Sequence, residues 1–167
     1  MIRFRALEPS DADILYDVEN NESEWRHGDT LAPYSRHQLY EYALTYDPDP
    51  FRSGQIRLVA EDEVGKAVGL LDLYEISAKN QNAFVGIYIL PDFRKKGFGE
   101  FSLKELREYA FATLGLESLG ARILTTNRFA LRLFEKAGFK KVGVMKRWQR
   151  TAEGFEDVVI MQLTKEA

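Results

Sequence analysis

The chain has 167 residues, 45% of them hydrophobic and 29% charged, with a net charge of −3. This is the composition of an ordinary globular protein, and the length predicts a single domain over residues 1–167. No apolar stretch approaches the ~20 residues of a membrane span, and the N-terminal segment lacks the long apolar run of a signal peptide. We therefore expect a cytoplasmic protein with no membrane partner. Zero cysteines and only two histidines exclude disulfides and thiolate metal sites, and we expect no bound metal.

The charges are divided unevenly along the chain. Residues 1–90 hold eight Lys or Arg and sixteen Asp or Glu, whereas residues 91–167 hold fifteen and ten. If both sets face one cleft, the first attracts cations and the second anions; the alternative is two separately solvated surfaces. A basic second half also suits nucleic-acid binding, but the isoelectric point of about 5.5 argues against a nucleic-acid partner.

The first half of the chain predicts one strand, two helices and three further strands. IRFRAL, from residue 2, alternates apolar and charged residues as a half-buried strand does, and EPSDAD then has the proline and acids of a helix start. A second helix is predicted from Ser35 to Tyr46 and ends at the breaker DPDP. The β-rich runs at residues 55–62, 67–77 and 83–90 are joined by short turns, which predicts an antiparallel meander.

The second half predicts two helices, a strand and a terminal hairpin. Apolar residues recur at helical spacing from Leu103 to Leu114 and indicate a helix that begins near Gly97. Residues 119–127 read as a strand, and Asn127 at its end can cap a short helix. Residues 139–164, with a turn at AEG, are predicted to form the terminal hairpin. The fold class is therefore α+β.

The stretch ILPDFRKKGFGEF, residues 89–101, lies between the third meander strand and the long helix. A helix N-terminus presents unpaired N–H groups and the positive end of the helix dipole, so anions bind there. Gly97 and Gly99 would let phosphate approach the backbone, and three consecutive cations add positive charge. The alternative is a plain basic turn ahead of a helix. The letters match neither a P-loop nor a dinucleotide fingerprint.

This stretch resembles the acyl-CoA loop of the GNAT acetyltransferase superfamily, Arg/Gln-x-x-Gly-x-Gly/Ala, through Arg94, Gly97 and Gly99. About thirty residues on, TTNRFALRLFEKAGF resembles the superfamily's Asn-x-x-Ala-x-x-x-Tyr/Phe-x-x-x-Gly-Phe segment. The likeness is nearest to the spermidine and ribosomal-protein N-terminal acetyltransferase branches. It implies a mixed, mostly antiparallel sheet of six to seven strands flanked by about four helices. It also implies transfer of an acetyl group from acetyl-CoA to an amine.

The resemblance implies a binding site for acetyl-CoA along the loop, the strand before it and the later motif. The loop backbone would hold the pyrophosphate, and the strand would pair with the pantetheine arm near a bulge at Gly86. The residues expected to contact the cofactor are Ile87, Tyr88, Ile89, Arg94, Lys95, Lys96, Gly97, Phe98, Gly99, Asn127, Phe134 and Lys136.

The usual proton donor is missing from the later motif. Many relatives protonate the CoA thiolate with a tyrosine where this chain has Phe134. A thiol with a pKa near ~8.5 can leave unassisted, so catalysis stays feasible; the alternative is a non-catalytic acyl-CoA-binding or sensing module. The candidate catalytic residues are Tyr88, Glu75 and Asp72. Tyr88 shares the alternating face of Gly86, whereas Asp72 and Glu75 are three apart and face opposite sides unless a bulge intervenes.

The acceptor is expected to be a cationic amine: a polyamine, another small amine or a protein N-terminus. The acidic first half of the chain favours a cation. In this superfamily the helices between the first two strands shape the acceptor site, and Glu22, Glu24 and Trp25 are the candidate substrate-binding residues. Spermidine acetyltransferases carry a glutamate where this chain has Phe84, which weakens that particular substrate. A homo-oligomer is left open.

Overall fold

The computed structural model describes residues 2–22 and 30–166. Within them, one sheet contains β1 (Arg3–Ala6), β2 (Ile56–Glu61), β3 (Ala67–Ser77), β4 (Asn82–Ile89), β5 (Ser118–Leu124), β6 (Lys140–Thr151) and β7 (Gly154–Thr164). The α-helices are α1 (Ala12–Glu19), α2 (Arg36–Leu44), α3 (Pro50–Ser53), α4 (Phe98–Glu108) and α5 (Arg128–Lys136). Short 3-10 turns occupy Pro9–Asp11 and Pro91–Phe93, and a π-helical turn, Tyr109–Thr113, follows α4. No helix in these ranges is long and apolar enough to cross a membrane.

The strand order is β1-β2-β3-β4-β5-β7-β6, and only the pairing of β4 with β5 is parallel. The predicted α+β class, meander and terminal hairpin are therefore confirmed. DPDP ends α2 as predicted, but it also starts α3. The Asp49 carboxylate accepts the N–H groups of Phe51 and Arg52, and Pro50 takes the first helical position.

Helices cover both faces of the sheet. On one face, α1 and α2 pack over a core that contains Leu7, Leu15, Leu39, Val59 and Leu70. On the other, α4 and α5 enclose a larger core that contains Leu71, Leu103, Leu106, Leu119 and Phe134. Burial of these apolar side chains holds the helices against the sheet, and each contributes ~1.5–3 kcal/mol.

The sheet divides where its one parallel pair ends. β4 and β5 pair over three residues each, and the last pair is Phe84 with Gly120. The Phe84 ring lies directly on Gly120, so that a Cβ built there would come within 2.6 Å of the ring. Position 120 therefore requires glycine. Beyond this pair the two strands bound an open cleft.

β3 carries the bulge that was expected in β4. The pairing of β3 with β4 is regular from Gly69 to Tyr74, and then shifts register. Glu75 sits at the shift with a φ of +50°. Gly86 pairs in register with Asp72, so the expected bulge at Gly86 is wrong.

Candidate active site

A cleft of about 920 Å³ opens where β4 and β5 separate. Strands β2, β3 and β4 contribute one wall, and β5, α5 and β6 contribute the other. Both walls carry charged side chains: Arg57, Asp72 and Glu75 from the first, and Arg122 and Arg150 from the second.

The backbone of β4 is exposed along the cleft. Leu90 donates its N–H to the Val68 carbonyl at 2.9 Å. Because backbone groups alternate in direction along a strand, those of Tyr88 point to β3 and those of Ile87 point into the cleft. An extended chain with amide groups, such as pantetheine, can pair with such an edge. The backbone of Ile87 is therefore free to pair with pantetheine as predicted. The backbone groups of Tyr88 are directed to β3 instead.

The loop after β4 presents an open helix N-terminus. Lys95 and Gly97 have φ of +61° and +84°, and Gly97 is the N-cap of α4, with no side-chain cap. Phe101 makes the first bond of the helix by donating to the Gly97 carbonyl at 3.1 Å. The N–H groups of residues 97–100 therefore have no partner within the helix. This arrangement suits backbone binding of a pyrophosphate.

Two motif residues of this loop also hold the local structure together. Arg94 donates from Nε to the Ile89 carbonyl at 2.9 Å, which fastens the loop to the end of β4. A Cβ on Gly99 would lie 3.4 Å from Leu133 of α5 and 3.6 Å from Ile89. The small residue at Gly99 thus serves the contact of α4 with α5. Gly97 is the open position, because no atom lies within 4 Å of a Cβ built there.

The other loop residues surround the N-terminus of α4. Lys95 and Lys96 are exposed, and the Lys96 ammonium lies 5.7 Å from the centroid of the Phe93 ring. Phe98 packs edge-on against Phe93, at 5.6 Å between centroids. The two lysines therefore add positive charge around the N–H groups at the start of α4.

Helix α5 forms part of the opposite wall. The Asn127 side-chain oxygen accepts the Ala130 N–H at 3.1 Å and caps α5, so its NH₂ group can donate to a ligand in the cleft. Phe134 lines the cleft and is 3% exposed. Lys136 pairs with Glu100 at 2.7 Å. It lies in the groove between α4 and α5, which Gly97 also lines, and not in the cleft; its contact with the cofactor stays a prediction.

An ion-paired network centred on Arg57 stands beside Gly86. Asp72 accepts two hydrogen bonds from Arg57, at 2.7 and 3.0 Å, and Glu19 of α1 accepts one at 2.7 Å. Burial disfavours the charged guanidinium, but the two carboxylates outweigh it and raise the pKa of Arg57 above its ordinary value. Among the described residues, one cation of this network faces two carboxylates.

Gly86 leaves room beside β4 for two side chains of β3. A Cβ built on Gly86 would lie 3.6 Å from Asp72 Oδ2 and 3.8 Å from a ring carbon of Tyr74. Burial raises the pKa of Tyr74, with Arg122 offsetting part of the effect, so the hydroxyl keeps its proton at neutral pH. Sequence analysis missed Tyr74. The signal was its spacing of two from Asp72, which puts both side chains on one face.

The bulge in β3 brings a second carboxylate to the cleft. Glu75 accepts two hydrogen bonds from Arg122 of β5, at 2.7 and 2.9 Å. The Arg122 guanidinium lies 3.8 Å from the centroid of the Phe84 ring. The paired hydrogen bonds raise the pKa of Arg122 and lower that of Glu75. Asp72 and Glu75 therefore both line the cleft, as the sequence allowed only with a bulge.

Tyr88 is not among the residues that line the cleft. It shares a face with Gly86 as predicted, but it lies two residues, about 7 Å, further along the strand. Its ring centroid is 5.3 Å from the Arg94 guanidinium. A catalytic role for Tyr88 stays a prediction; in the structure its ring lies beside the Arg94 guanidinium.

The predicted acceptor-binding residues fall in the segment between α1 and α2. Glu22 is exposed, and Glu24 and Trp25 lie outside the described residues. Further along the same segment, Thr30 and Leu31 line the cleft. The chain between the first two helices thus reaches the site.

The acidic run of residues 8–24 divides between structure and site. Asp11 is 3% exposed and accepts two hydrogen bonds from Arg5, at 2.7 and 2.8 Å. Asp13 forms an exposed ion pair with Arg36. Glu19 alone among these three belongs to the network beside the cleft. Asp11 is buried and thus belongs neither to a charged cleft nor to a solvated surface, the two alternatives that the charge distribution left open.

A divided sheet, an exposed strand edge and an open helix N-terminus together define a protein that holds an acyl-CoA across β4 and α4. A model of the acetyltransferase (GNAT) domain matches residues 2–140, and the chain belongs to that family. It is an N-acetyltransferase that uses acetyl-CoA. Ile87 and Asn127 line the cleft, and the N-terminus of α4 follows the end of the same strand, β4, so the parts of this co-substrate have matching groups along one path.

Known relatives agree with this assignment. The chain is 28% identical over 145 residues to spermidine N(1)-acetyltransferase of Vibrio cholerae, which covers 85% of this chain and 80% of that protein. It is 32% identical over 77 residues to the ribosomal protein bS18 alanine N-acetyltransferase of Salmonella typhimurium, covering 46% and 51%. The crystal structure of the Vibrio cholerae spermidine enzyme in complex with CoA and spermine matches with a TM-score of 0.88 and 26% identity, covering 98% and 95%.

Proposed function

We propose that this N-acetyltransferase acetylates a cationic amine that binds beside Gly86. The observation that carries the proposal is the carboxylate of Asp72, which lies 3.6 Å from the Cβ position of Gly86 where β4 and β5 part. Arg57 fixes this carboxylate with two hydrogen bonds, and Glu19 adds a second carboxylate to the described part of the network. Such a site attracts an ammonium group and orients it.

The residues around Gly86 supply the groups that the reaction needs. When bound, acetyl-CoA provides a thioester that a neutral amine attacks at the carbonyl carbon, with the CoA thiol as leaving group. Asp72 binds the amine and takes up the proton that it must lose. The Ile87 N–H faces the cleft and can stabilise the oxyanion. Tyr74 is the proposed proton donor in place of the tyrosine that is absent at Phe134.

The acceptor candidates are a polyamine, another small cationic amine or a protein N-terminus. The Vibrio cholerae relative was crystallised with spermine, and another of its structures is dodecameric. These findings support an amine acceptor and a homo-oligomeric assembly for this chain. The cytoplasm is the proposed location.

The experiment is a thiol-release assay with acetyl-CoA across a panel of amines. We expect release with at least one amine, and Asp72→Asn should lower kcat/KM for it by about tenfold or more. Asp47→Asn is the matched control, because Asp47 pairs with Arg52 at the start of α3, outside the cleft. Equal activity of the Asp72→Asn and Asp47→Asn variants would show that Asp72 does not bind the amine. No release with any amine would reject the acceptor class.

A further inference from the structure

We infer that the acceptor amine carries a carboxylate, as free amino acids do; this inference rests on the proposed function. It follows from the opposite charges of the two walls of the cleft. The wall at β3 has the Asp72, Arg57 and Glu19 network, with two carboxylates against one cation among the described residues. The wall at β5 and β6 has Arg122 and Arg150.

The basic wall is shaped by a bulge in β6. Met145 pairs with Val158 and Gln149 with Glu156, so residues 146–148 all lie opposite Asp157. At the centre of the bulge Arg147 has a φ of +49°. A left-handed conformation at a residue with a side chain costs about 1 kcal/mol or more, and it persists where the surroundings impose it.

Asp157 is the group that imposes this conformation. Its carboxylate accepts the Arg147 N–H and the Lys146 ammonium, each at 2.8 Å. The bulge presents Trp148 and Arg150 to the cleft, and Trp148 is 63% exposed. A strained, specifically held strand segment that lines a cleft is a feature of binding sites.

Arg150 is suited to an anion. Among the described ranges it makes no ion pair, and β6 contains Lys140, Lys141, Lys146, Arg147 and Arg150 with no Asp or Glu. A guanidinium binds a carboxylate with two parallel hydrogen bonds. Arg122 on the same wall already binds the Glu75 carboxylate in this way. With the amine held at Asp72, a carboxylate on the same molecule can neutralise Arg150.

A polyamine has no anionic group to pair with Arg150 on the wall formed by β5 and β6. Its second ammonium would meet the Arg150 charge, which repels it, whereas an amino acid offers opposite charge to both walls. Discrimination then comes from attraction to one class of acceptor and repulsion of the other.

The test compares acceptors that differ only by a carboxylate: ornithine against putrescine, and lysine against cadaverine. We expect kcat/KM to be about tenfold or more higher for each amino acid, the effect of one charged hydrogen-bonded pair. Arg150→Gln should reduce both ratios to within about threefold. Lys141→Gln is the control on the same strand, since Lys141 is exposed and lies outside both the bulge and the cleft lining, and it should keep the ratios.

Two results separate this inference from the function beneath it. Diamines that react as fast as the amino acids, or ratios that survive Arg150→Gln, overturn the carboxylate assignment and leave an amine acetyltransferase. Absence of thiol release with every amine in the wider panel overturns the proposed function itself.

Discussion

Arg122 of β5 and Glu75 of β3 form an ion pair that passes over β4, with hydrogen bonds of 2.7 and 2.9 Å. The two strands are not neighbours in the sheet. The pair reaches across because Glu75 adopts a left-handed backbone conformation at the bulge. The Arg122–Glu75 ion pair therefore depends on the left-handed backbone of Glu75.

Replacing Glu75 with glycine should change the free energy of unfolding by less than about 1 kcal/mol. The lost ion pair, which is partly exposed, contributes about 0–1 kcal/mol, and relief of the left-handed strain returns about 1 kcal/mol. Chemical denaturation measures the difference. Gln81→Gly is the control, because Gln81 has a φ of +51° outside the cleft lining and should be stabilised. A loss above about 2 kcal/mol at Glu75 would show that the pair holds the sheet together.

Removing the hydroxyl of Tyr74 should slow the chemical step. We expect Tyr74→Phe to lower kcat by on the order of 10², the usual contribution of a general acid, with a smaller change in KM. Tyr109→Phe is the matched control, since burial also raises the pKa of Tyr109, which lies in the π-helical turn after α4. A single-turnover rate within about twofold of the parent would show that water, and not Tyr74, protonates the CoA thiolate.

A carboxylate at position 97 should weaken cofactor binding. In Gly97→Asp the new side chain would occupy the open N-terminus of α4 and repel a pyrophosphate, so the CoA dissociation constant should rise by about tenfold or more. The CoA-induced rise in melting temperature should shrink with it. Gly65→Asp imposes the same left-handed strain, at φ +81°, in the turn between β2 and β3. Loss of the CoA effect in both variants would trace it to strain and not to the anion site.

Asp11 predicts a loss of stability in acid. Burial raises its pKa, but hydrogen bonds from Arg5 and from the Glu8 N–H outweigh burial, and the pKa lies below its ordinary value of 3.8. A depressed carboxyl pKa contributes stability that is complete above about pH 4 and is lost as the pH falls through the folded-state value. The free energy of unfolding should therefore fall with acidification below about pH 4.

The variant Asp11→Asn isolates this contribution. At neutral pH it should lose about 1–3 kcal/mol of stability, and its profile below about pH 4 should be flatter. Asp13→Asn, which removes an exposed carboxylate, should change stability by less than about 0.5 kcal/mol. Parallel acid profiles for the parent and Asp11→Asn would contradict the assignment.

The parts of the site that depend on local sequence could be predicted from it. Gly97 and Asn127 lie at the ends of helices, where a few adjacent residues determine the backbone and the cap. Tyr74 and Arg122 could not be found in this way, because they meet through the register of β3 against β4 and the shift at Glu75. Tyr88 could be predicted only in part. The alternation of side chains along a strand gives its face of the sheet but not its distance from the cleft.

The fit of Phe84 against Gly120 and Arg122 has a consequence for the evolution of acceptor choice. A carboxylate introduced at position 84 would meet the Arg122 guanidinium, which now lies 3.8 Å from the ring, and would be neutralised before it could receive an amine. It would also uncover Gly120. A change to an acid at position 84 therefore requires concerted changes at positions 84, 120 and 122. Single substitutions at these positions lose packing before they gain a new acceptor specificity.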